Sequence, residues 1–293
     1  MLRSIVVWSL FVCSFVQATE PARFHHVRIN SVNPDQSIKY YAKHFGGVPI
    51  KFNRAADAIF CERSFLIFNK VDTAPPKEHL SGIWHIGWGG VDVMNEYQWM
   101  KRQGVEFQTP PTPLPGFDNF YMYIVGPSGE LIEVNTMGHH RFAHVHFFSE
   151  DVNKTCQWYA EHLGLKARRP TVPRPKGDPN TLLGIWMNFV PCDNVLMIFF
   201  GKPDQDPPPS WWPSAPLKEI QPTTGRPIDH LAFSYRQIDP VLQRMRDAGV
   251  MISSEPAVRP EHGLRSFFVV GPEKVSIEIV EAKPIPEGIW DSP

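Results

Sequence analysis

The sequence predicts an α+β fold in which a strand, a helix and further strands recur four times, with sheets curled around hollows and helices on the outer faces. Three observations carry this expectation. Four histidines, His26, His85, His144 and His230, each stand near the start of a strand-like run: FHHVRIN, WHIGWGG, AHVHFFS and DHLAFSY. An acidic or amide residue follows seven positions after each histidine, at Asn33, Asp92, Asp151 and Gln237. The second and fourth repeats also end in a glutamate, Glu133 in LIEVN and Glu278 in SIEIV, at the same separation from the histidine of their repeat.

In the first repeat, period-two alternation puts Arg28 and Asn30 on the face of His26, with Val27 and Ile29 opposite. Residues 34–45 carry Ile38, Tyr41 and Phe45 at helical spacing and stop at Gly46-Gly47, a C-terminal cap. SFLIFNK after Cys61 closes the repeat without a carboxylate. The second repeat predicts a helix over 95–103 before Gly104-Val105, then FYMYIVGPSGELIEV, which reads as a strand, a Gly-Pro turn and a strand. In the third, a helix over 152–163 ends at Gly164, and VLMIFFGK follows Asn194. The fourth places Ala232 and Ser234 with His230, opposite Leu231, Phe233 and Tyr235, then a helix over 240–248 and the hairpin SFFVVGPEKVSIEIV. Glu133 and Glu278 face away from Ile132, Val134, Ile277 and Ile279, so the polar side chains of every repeat share the face that lines the hollow. Residues 201–227, with Pro207-Pro208-Pro209 and Trp211-Trp212, form a long connection expected to act as a lid or packed loop.

With 293 residues the chain exceeds one domain of ordinary size and predicts two. Its 29 basic and 30 acidic residues give a net charge of −1, which supplies no field for nucleic acid or an anionic membrane and favours a small-molecule partner. Residues 1–18 read as a signal peptide: Arg3, an apolar stretch from 5 to 16, and Val16-Gln17-Ala18 as a small-residue cleavage pattern. The mature chain is expected in the periplasm or outside the cell, without a stable membrane span. Cys61, Cys156 and Cys192 then remain, an odd and scattered set that is no disulfide framework.

Two histidines and one glutamate, twice over, form a metal-site inventory. Neutral imidazoles with one carboxylate suit Fe, Mn, Zn or Ni as a divalent ion and leave coordination positions for substrate oxygens. One or two such ions per chain are expected.

From Phe24 to about Ala282, the opening histidines, the helices ending at Gly and the GPSGELIEV pattern around Glu133 resemble the vicinal oxygen chelate superfamily. It includes glyoxalase I, extradiol ring-cleaving dioxygenases and bleomycin resistance proteins. The resemblance implies βαβββ modules, with two modules to a cup and one metal to a cup. It implies a first domain over 22–140 with His26, His85 and Glu133 as ligands, a second over 141–283 with His144, His230 and Glu278, and a tail over 284–293. Ile67 or Phe68, and Ile198 or Phe199, stand where glyoxalase-type sites recruit a further carboxylate. Tyr123 stands where ring-cleaving dioxygenases hold a substrate oxygen, and Phe268 occupies that place in the fourth repeat. Asn69 and Lys70 lie where those dioxygenases use a further histidine. His262 sits near the second cup as an acid or base, His146 shares the face of His144 as a supporting partner, and His25 faces away in a structural role. His139-His140 read as a linker between halves.

The implied function is a divalent-metal-dependent lyase, isomerase or ring-cleaving oxygenase acting on a small substrate with adjacent oxygens. The alternatives are a metal-free binder that sequesters a small molecule, as bleomycin resistance proteins do, and a partner-binding module that kept the fold without the chemistry. The two triads weigh against both.

Overall fold

Each histidine-led run forms a strand that delivers the chain to a capped helix. In the computed structural model, which describes residues 20–76, 81–114, 118–137, 140–169, 185–203 and 220–283, four modules follow one another. The first comprises β1 (Arg23–Ser31), α1 (Pro34–Phe45), β2 (Val48–Phe52), β3 (Ala56–Cys61) and β4 (Ser64–Lys70). The second comprises β5 (Ile83–Gly89), α2 (Val93–Arg102), β6 (Phe107–Pro113), β7 (Phe120–Val125) and β8 (Leu131–Asn135). The third has β9 (Phe142–Phe148), α3 (Val152–Leu163), β10 (Ile185–Cys192) and β11 (Val195–Pro203). The fourth has β12 (Ile228–Tyr235), α4 (Asp239–Asp247), β13 (Ile252–Val258), β14 (Arg265–Val270) and β15 (Ser276–Glu281). The expected signal segment 1–18, the Trp211-Trp212 stretch, His139 and the tail over 284–293 lie outside the described residues.

The residues seven positions after the histidines are helix caps. Asn33, Asp92 and Asp151 each accept a hydrogen bond from the backbone N–H three residues on, at 3.2, 3.1 and 3.1 Å. Gln237 departs from the pattern: α4 has Ile238 at its N-cap and no side-chain cap, and Glu281 instead accepts from the Ile238 N–H at 3.2 Å. Gly46 and Gly164 end α1 and α3 with φ of 65° and 69°, a left-handed conformation that costs glycine little. The two helices expected over 95–103 and 240–248 each begin slightly earlier, at Val93 and Asp239.

The strands form two mixed sheets. One has eight strands in the order β13-β14-β15-β12-β1-β4-β3-β2, the other seven in the order β10-β11-β9-β5-β8-β7-β6. This overturns the pairing of consecutive modules. β1 of the first module is antiparallel to β12 of the fourth, and β5 of the second is antiparallel to β9 of the third. The four repeats carry equivalent strand patterns, so their spacing does not choose partners. Packing does: Phe24 on β1 meets Phe233 on β12 at 5.6 Å between ring centroids, and Trp88 on β5 meets Phe142 on β9 at 5.0 Å. Trp88 also touches Phe45 of α1 at 4.7 Å, so one continuous core joins both sheets to the helices. Val27, Ile29, Ile132, Val134, Leu231, Phe233, Ile277 and Ile279 all point into that core, as alternation predicted, which leaves the opposite faces for the cups. Cys61, Cys156 and Cys192 are buried free thiols. Among the described residues, no helix is long and apolar enough to cross a membrane.

Glu130, in the turn before β8, ties the first module to the second. Its carboxylate accepts from the Tyr41 hydroxyl at 2.6 Å and from the Ser128 N–H at 2.9 Å, yet burial pushes its pKa up from 4.5 to about 7. The native state therefore holds a proton that the unfolded chain has lost between about pH 4.5 and about 7, and stability from this group falls as pH rises through that window. The full effect is on the order of 3 kcal/mol. Glu130→Gln is expected to gain stability relative to the parent as pH goes from 5 to 8, read as the difference in denaturant midpoints. A difference independent of pH would refute this.

Two candidate metal centres

β5, β8 and β9 build the first centre. Parallel pairing sets Gly87 of β5 beside Glu133 of β8, while on the other side β9 sets His144 opposite Gly87 and His146 opposite His85. His85, Glu133, His144 and His146, all buried, each offer a ligand atom within 4.8 Å of the others. His85 Nε2 lies 2.9 Å from Glu133 Oε2, and His144 Nε2 lies 3.7 Å from Oε1. The Asn135 side-chain amide donates to Oε1 at 2.6 Å. Tyr123 pairs with Glu133 across β7 and β8, with its ring 5.1 Å from that of His85.

β1, β12 and β15 build the second centre from His26, His230 and Glu278, again within 4.8 Å. His26 Nε2 and His230 Nε2 lie 3.4 and 3.5 Å from Glu278 Oε2. The far side of every member is anchored. His26 Nδ1 meets His25 Nδ1 at 2.8 Å, and His230 Nδ1 meets Asp229 Oδ1 at 2.7 Å. Glu278 Oε1 accepts from Ser266 Oγ at 2.5 Å and from His262 Nε2 at 2.9 Å. The Leu264 N–H donates to His262 Nδ1 at 3.2 Å, which fixes the His262 proton on Nε2.

The two centres occupy corresponding strand positions, one in each sheet. The sequence profile of the Glyoxalase/Bleomycin resistance protein/Dioxygenase superfamily matches residues 23–134 and 141–279. The chain belongs to that superfamily. It is 26% identical over 164 residues to a "Putative lactoylglutathione lyase" of Brassica oleracea var. gemmifera, a match covering 55% of this chain. The chain spans only about half of that relative, 51%. Glyoxalase I from Zea mays superposes with a TM-score of 0.67 at 15% identity, covering 89% of this chain and 92% of that one. A "putative dioxygenase" from Bacillus subtilis subsp. subtilis str. 168 superposes with a TM-score of 0.58 at 14% identity, covering 90% and 86%. These likenesses establish a shared glyoxalase-like fold.

All six candidate ligands of this superfamily member gather in centres, but not in the sets that consecutive pairing gave. His26 joins His230 and Glu278, whereas His85 and Glu133 join His144. His146 moves from supporting partner to candidate ligand, for which its position two residues from His144 on one strand face was the available signal. His25 touches His26 instead of facing away, because the register shifts between Phe24 and His26 and local alternation fails there. Ile67 pairs with Arg28, and Ile198 with His146, two residues along from the partners of His26 and His144, which are Phe65 and Leu196. His140 is exposed, lies 3.9 Å from Glu96 and is in neither candidate cluster.

The electrostatics suit a cation. Burial raises the cost of ionising Glu133, but the nearby His85, His144 and His146 rings hold its carboxyl well below the usual range. Glu278 is likewise held down, with His230 and His262 overcoming burial. Burial lowers His144 to about 4 and puts His26 and His146 well below the ordinary imidazole value, so they are neutral ligands at neutral pH. His230 is raised, because Asp229 and Glu278 outweigh its burial. His26 Nε2 and Glu278 Oε2 in one centre, and His85 Nδ1 and Nε2, His144 Nε2 and His146 Nδ1 in the other, are buried without hydrogen-bond partners. Atoms orphaned in this way are costly unless something fills the space between them. Zinc ligands at about 2.0–2.1 Å from the ion lie at most about 4.2 Å apart, so these clusters need little contraction to fit a divalent ion.

Gly87 is required for the first centre. A Cβ there would lie 1.9 Å from His144 Nε2. Gly87→Ala is expected to push the ring aside and weaken metal binding in that centre by at least roughly the 10–100-fold that loss of a supporting partner costs. Metal titration reads this out, and an unchanged affinity would show that His144 is not a ligand.

Proposed function

We propose that this superfamily member is a divalent-metal-dependent enzyme acting on a small substrate with two adjacent oxygens, by lyase, isomerase or ring-cleaving oxygenase chemistry. One observation carries the reading: in each centre, buried imidazole nitrogens and a carboxylate oxygen converge on one point. A divalent ion bound there supplies Lewis acidity toward substrate oxygens. The rest is done by the chain. Burial and Glu133 hold the Tyr123 hydroxyl protonated, so it serves as a hydrogen-bond donor to a substrate oxygen. Phe268, across from Glu278, gives the second centre no such donor. His262 has both nitrogens engaged, which suits it to hold Glu278 Oε1 in place rather than to exchange protons with substrate.

Anaerobic purification followed by metal analysis tests the reading, with at least one divalent ion per chain as the expected result. Iron with oxygen uptake on catechols selects the oxygenase; zinc, nickel or manganese without uptake selects lyase or isomerase chemistry. A chain that takes up no divalent ion even when supplied with it favours the metal-free binder. Export to the periplasm or beyond remains part of this proposal, and an N-terminus near residue 19 in the purified protein would support it.

A further inference from the structure

The same strand irregularity occurs in both sheets and sets a different side chain beside each centre. From Ile83 to His85, β5 advances two residues while β9 advances one, from Phe147 to His146, so Trp84 is an extra residue next to a ligand. From Ile228 to His230, β12 does the same against Ile29 and Arg28, and the extra residue is Asp229. The parallel pairings extend the match. Leu196 stands beside His144 as Phe65 stands beside His26, and four residues along each strand Phe200 and Phe148 occupy the places of Asn69 and Asn30. Trp84, Phe148 and Phe200 of one cup therefore correspond to Asp229, Asn30 and Asn69 of the other.

The matched positions carry opposite chemistry. In the second cup they form a hydrogen-bonded chain that ends on a ligand: the Asn69 amide donates to Asn30 Oδ1 at 2.9 Å, the Asn30 amide donates to Asp229 Oδ2 at 2.9 Å, and Asp229 Oδ1 meets His230 Nδ1 at 2.7 Å. In the first cup they form an aromatic cluster. The Trp84 ring stacks on Phe148 at 5.0 Å and lies 6.1 Å from Phe200, 5.6 Å from Tyr123 and 4.6 Å from His85, while Phe200 lies 4.8 Å from His146. Solvent reaches this face. Tyr123, Ile198 and Phe200 keep 7%, 9% and 8% of their exposure, whereas Phe147, Met197 and Phe199, on the core face of the same sheet, keep 1%, 0% and 0%. A ring laid on the aromatic wall gains from apolar burial and from ring contacts. Against Asp229, Asn30 and Asn69 it would cover polar groups and gain nothing comparable.

We propose that Trp84, Phe148 and Phe200 make the first cup selective for a substrate whose adjacent oxygens are carried on an uncharged aryl body, a preference the second cup lacks. The proposal rests on the metal-dependent reading above and names the cup, the class of substrate body and the residues that select it. Tyr123 fits the same arrangement, since its hydroxyl is held protonated at the edge of the aromatic wall.

The test uses the full chain, stripped with chelator and reloaded with Co(II), whose visible absorption reports its ligands. Glu278→Gln leaves cobalt in the first cup, and Glu133→Gln leaves it in the second. Acetohydroxamate and benzohydroxamate are the probes, because they present the same pair of adjacent oxygens and differ only in body, a methyl group against a phenyl ring. In the Glu278→Gln protein benzohydroxamate is expected to bind at least about tenfold more tightly than acetohydroxamate, the effect of burying a ring on an apolar wall. In the Glu133→Gln protein the two should agree within about threefold, since no such burial occurs there. Adding Phe200→Asn to Glu278→Gln should erase the preference by weakening benzohydroxamate while acetohydroxamate and cobalt bind as before; Phe200→Leu should keep part of it. Trp84→Phe should likewise keep part of the preference and Trp84→Asn lose it. Equal preference in both cups, or a preference in the first cup indifferent to both Phe200→Asn and Trp84→Asn, would overturn this proposal alone. Absence of cobalt from every form would overturn the metal-dependent reading with it.

Discussion

Replacing Glu278 by glutamine is expected to remove one divalent ion per chain and to leave the other in place, and Glu133→Gln to do the converse. Among the described residues each carboxylate is the only anionic ligand in its cluster, and a neutral amide is a poorer donor to a hard divalent ion. The amide also disturbs the surroundings. Glu278 Oε1 accepts two hydrogen bonds, from Ser266 and His262, and an amide nitrogen placed there would face donors. The loss of affinity should exceed the roughly 10–100-fold expected for Ser266→Ala or His262→Ala, which remove only supporting bonds. Metal content by elemental analysis, with circular dichroism to verify folding, reads the result. Unchanged stoichiometry in both glutamine variants would reject both centres.

Cutting the chain between residues 140 and 141 should abolish metal binding by either half as a monomer. The half over 20–140 would carry His85 and Glu133 of one centre but only His26 of the other; the half over 141–283 would carry His144 and His146, with His230 and Glu278. Neither half contains a full set. Each also loses a sheet neighbour at its middle: β1 without β12 and β5 without β9 expose backbone donors and acceptors along an edge. The apolar contacts between Phe24 and Phe233 and between Trp88 and Phe142 go as well. Mixing the halves should restore zinc binding together with a complex the size of the full chain; alternatively, a half recovers binding only by pairing with a second copy of itself. Equilibrium dialysis alongside size-exclusion chromatography decides, and a monomeric 20–140 half that binds zinc as tightly as the intact chain would sink the observed pairing.

Much of the candidate site was legible before any coordinates. His26, His85, His144 and His230 all lie on the polar strand face that alternation assigned them, and both glutamates meet histidines there. Local rules suffice for this, because side-chain direction along a strand and cap preference at a helix start depend on a few neighbouring residues. They failed at His25, where an irregularity in the pairing of β1 turned the ring toward His26.

The amino-acid order by itself determined the fourfold α+β repeat, the helices capped by Asn33, Asp92 and Asp151, and the list of groups able to hold a cation. The tertiary structure alone decided which modules share a cup, and with that which ligands meet and why Gly87 must lack a side chain. The physical reason is that each repeat offers equivalent strand edges, so partner choice comes from the packing of a core shared by the whole chain, in which residues distant in sequence, such as Phe24 and Phe233, are buried together.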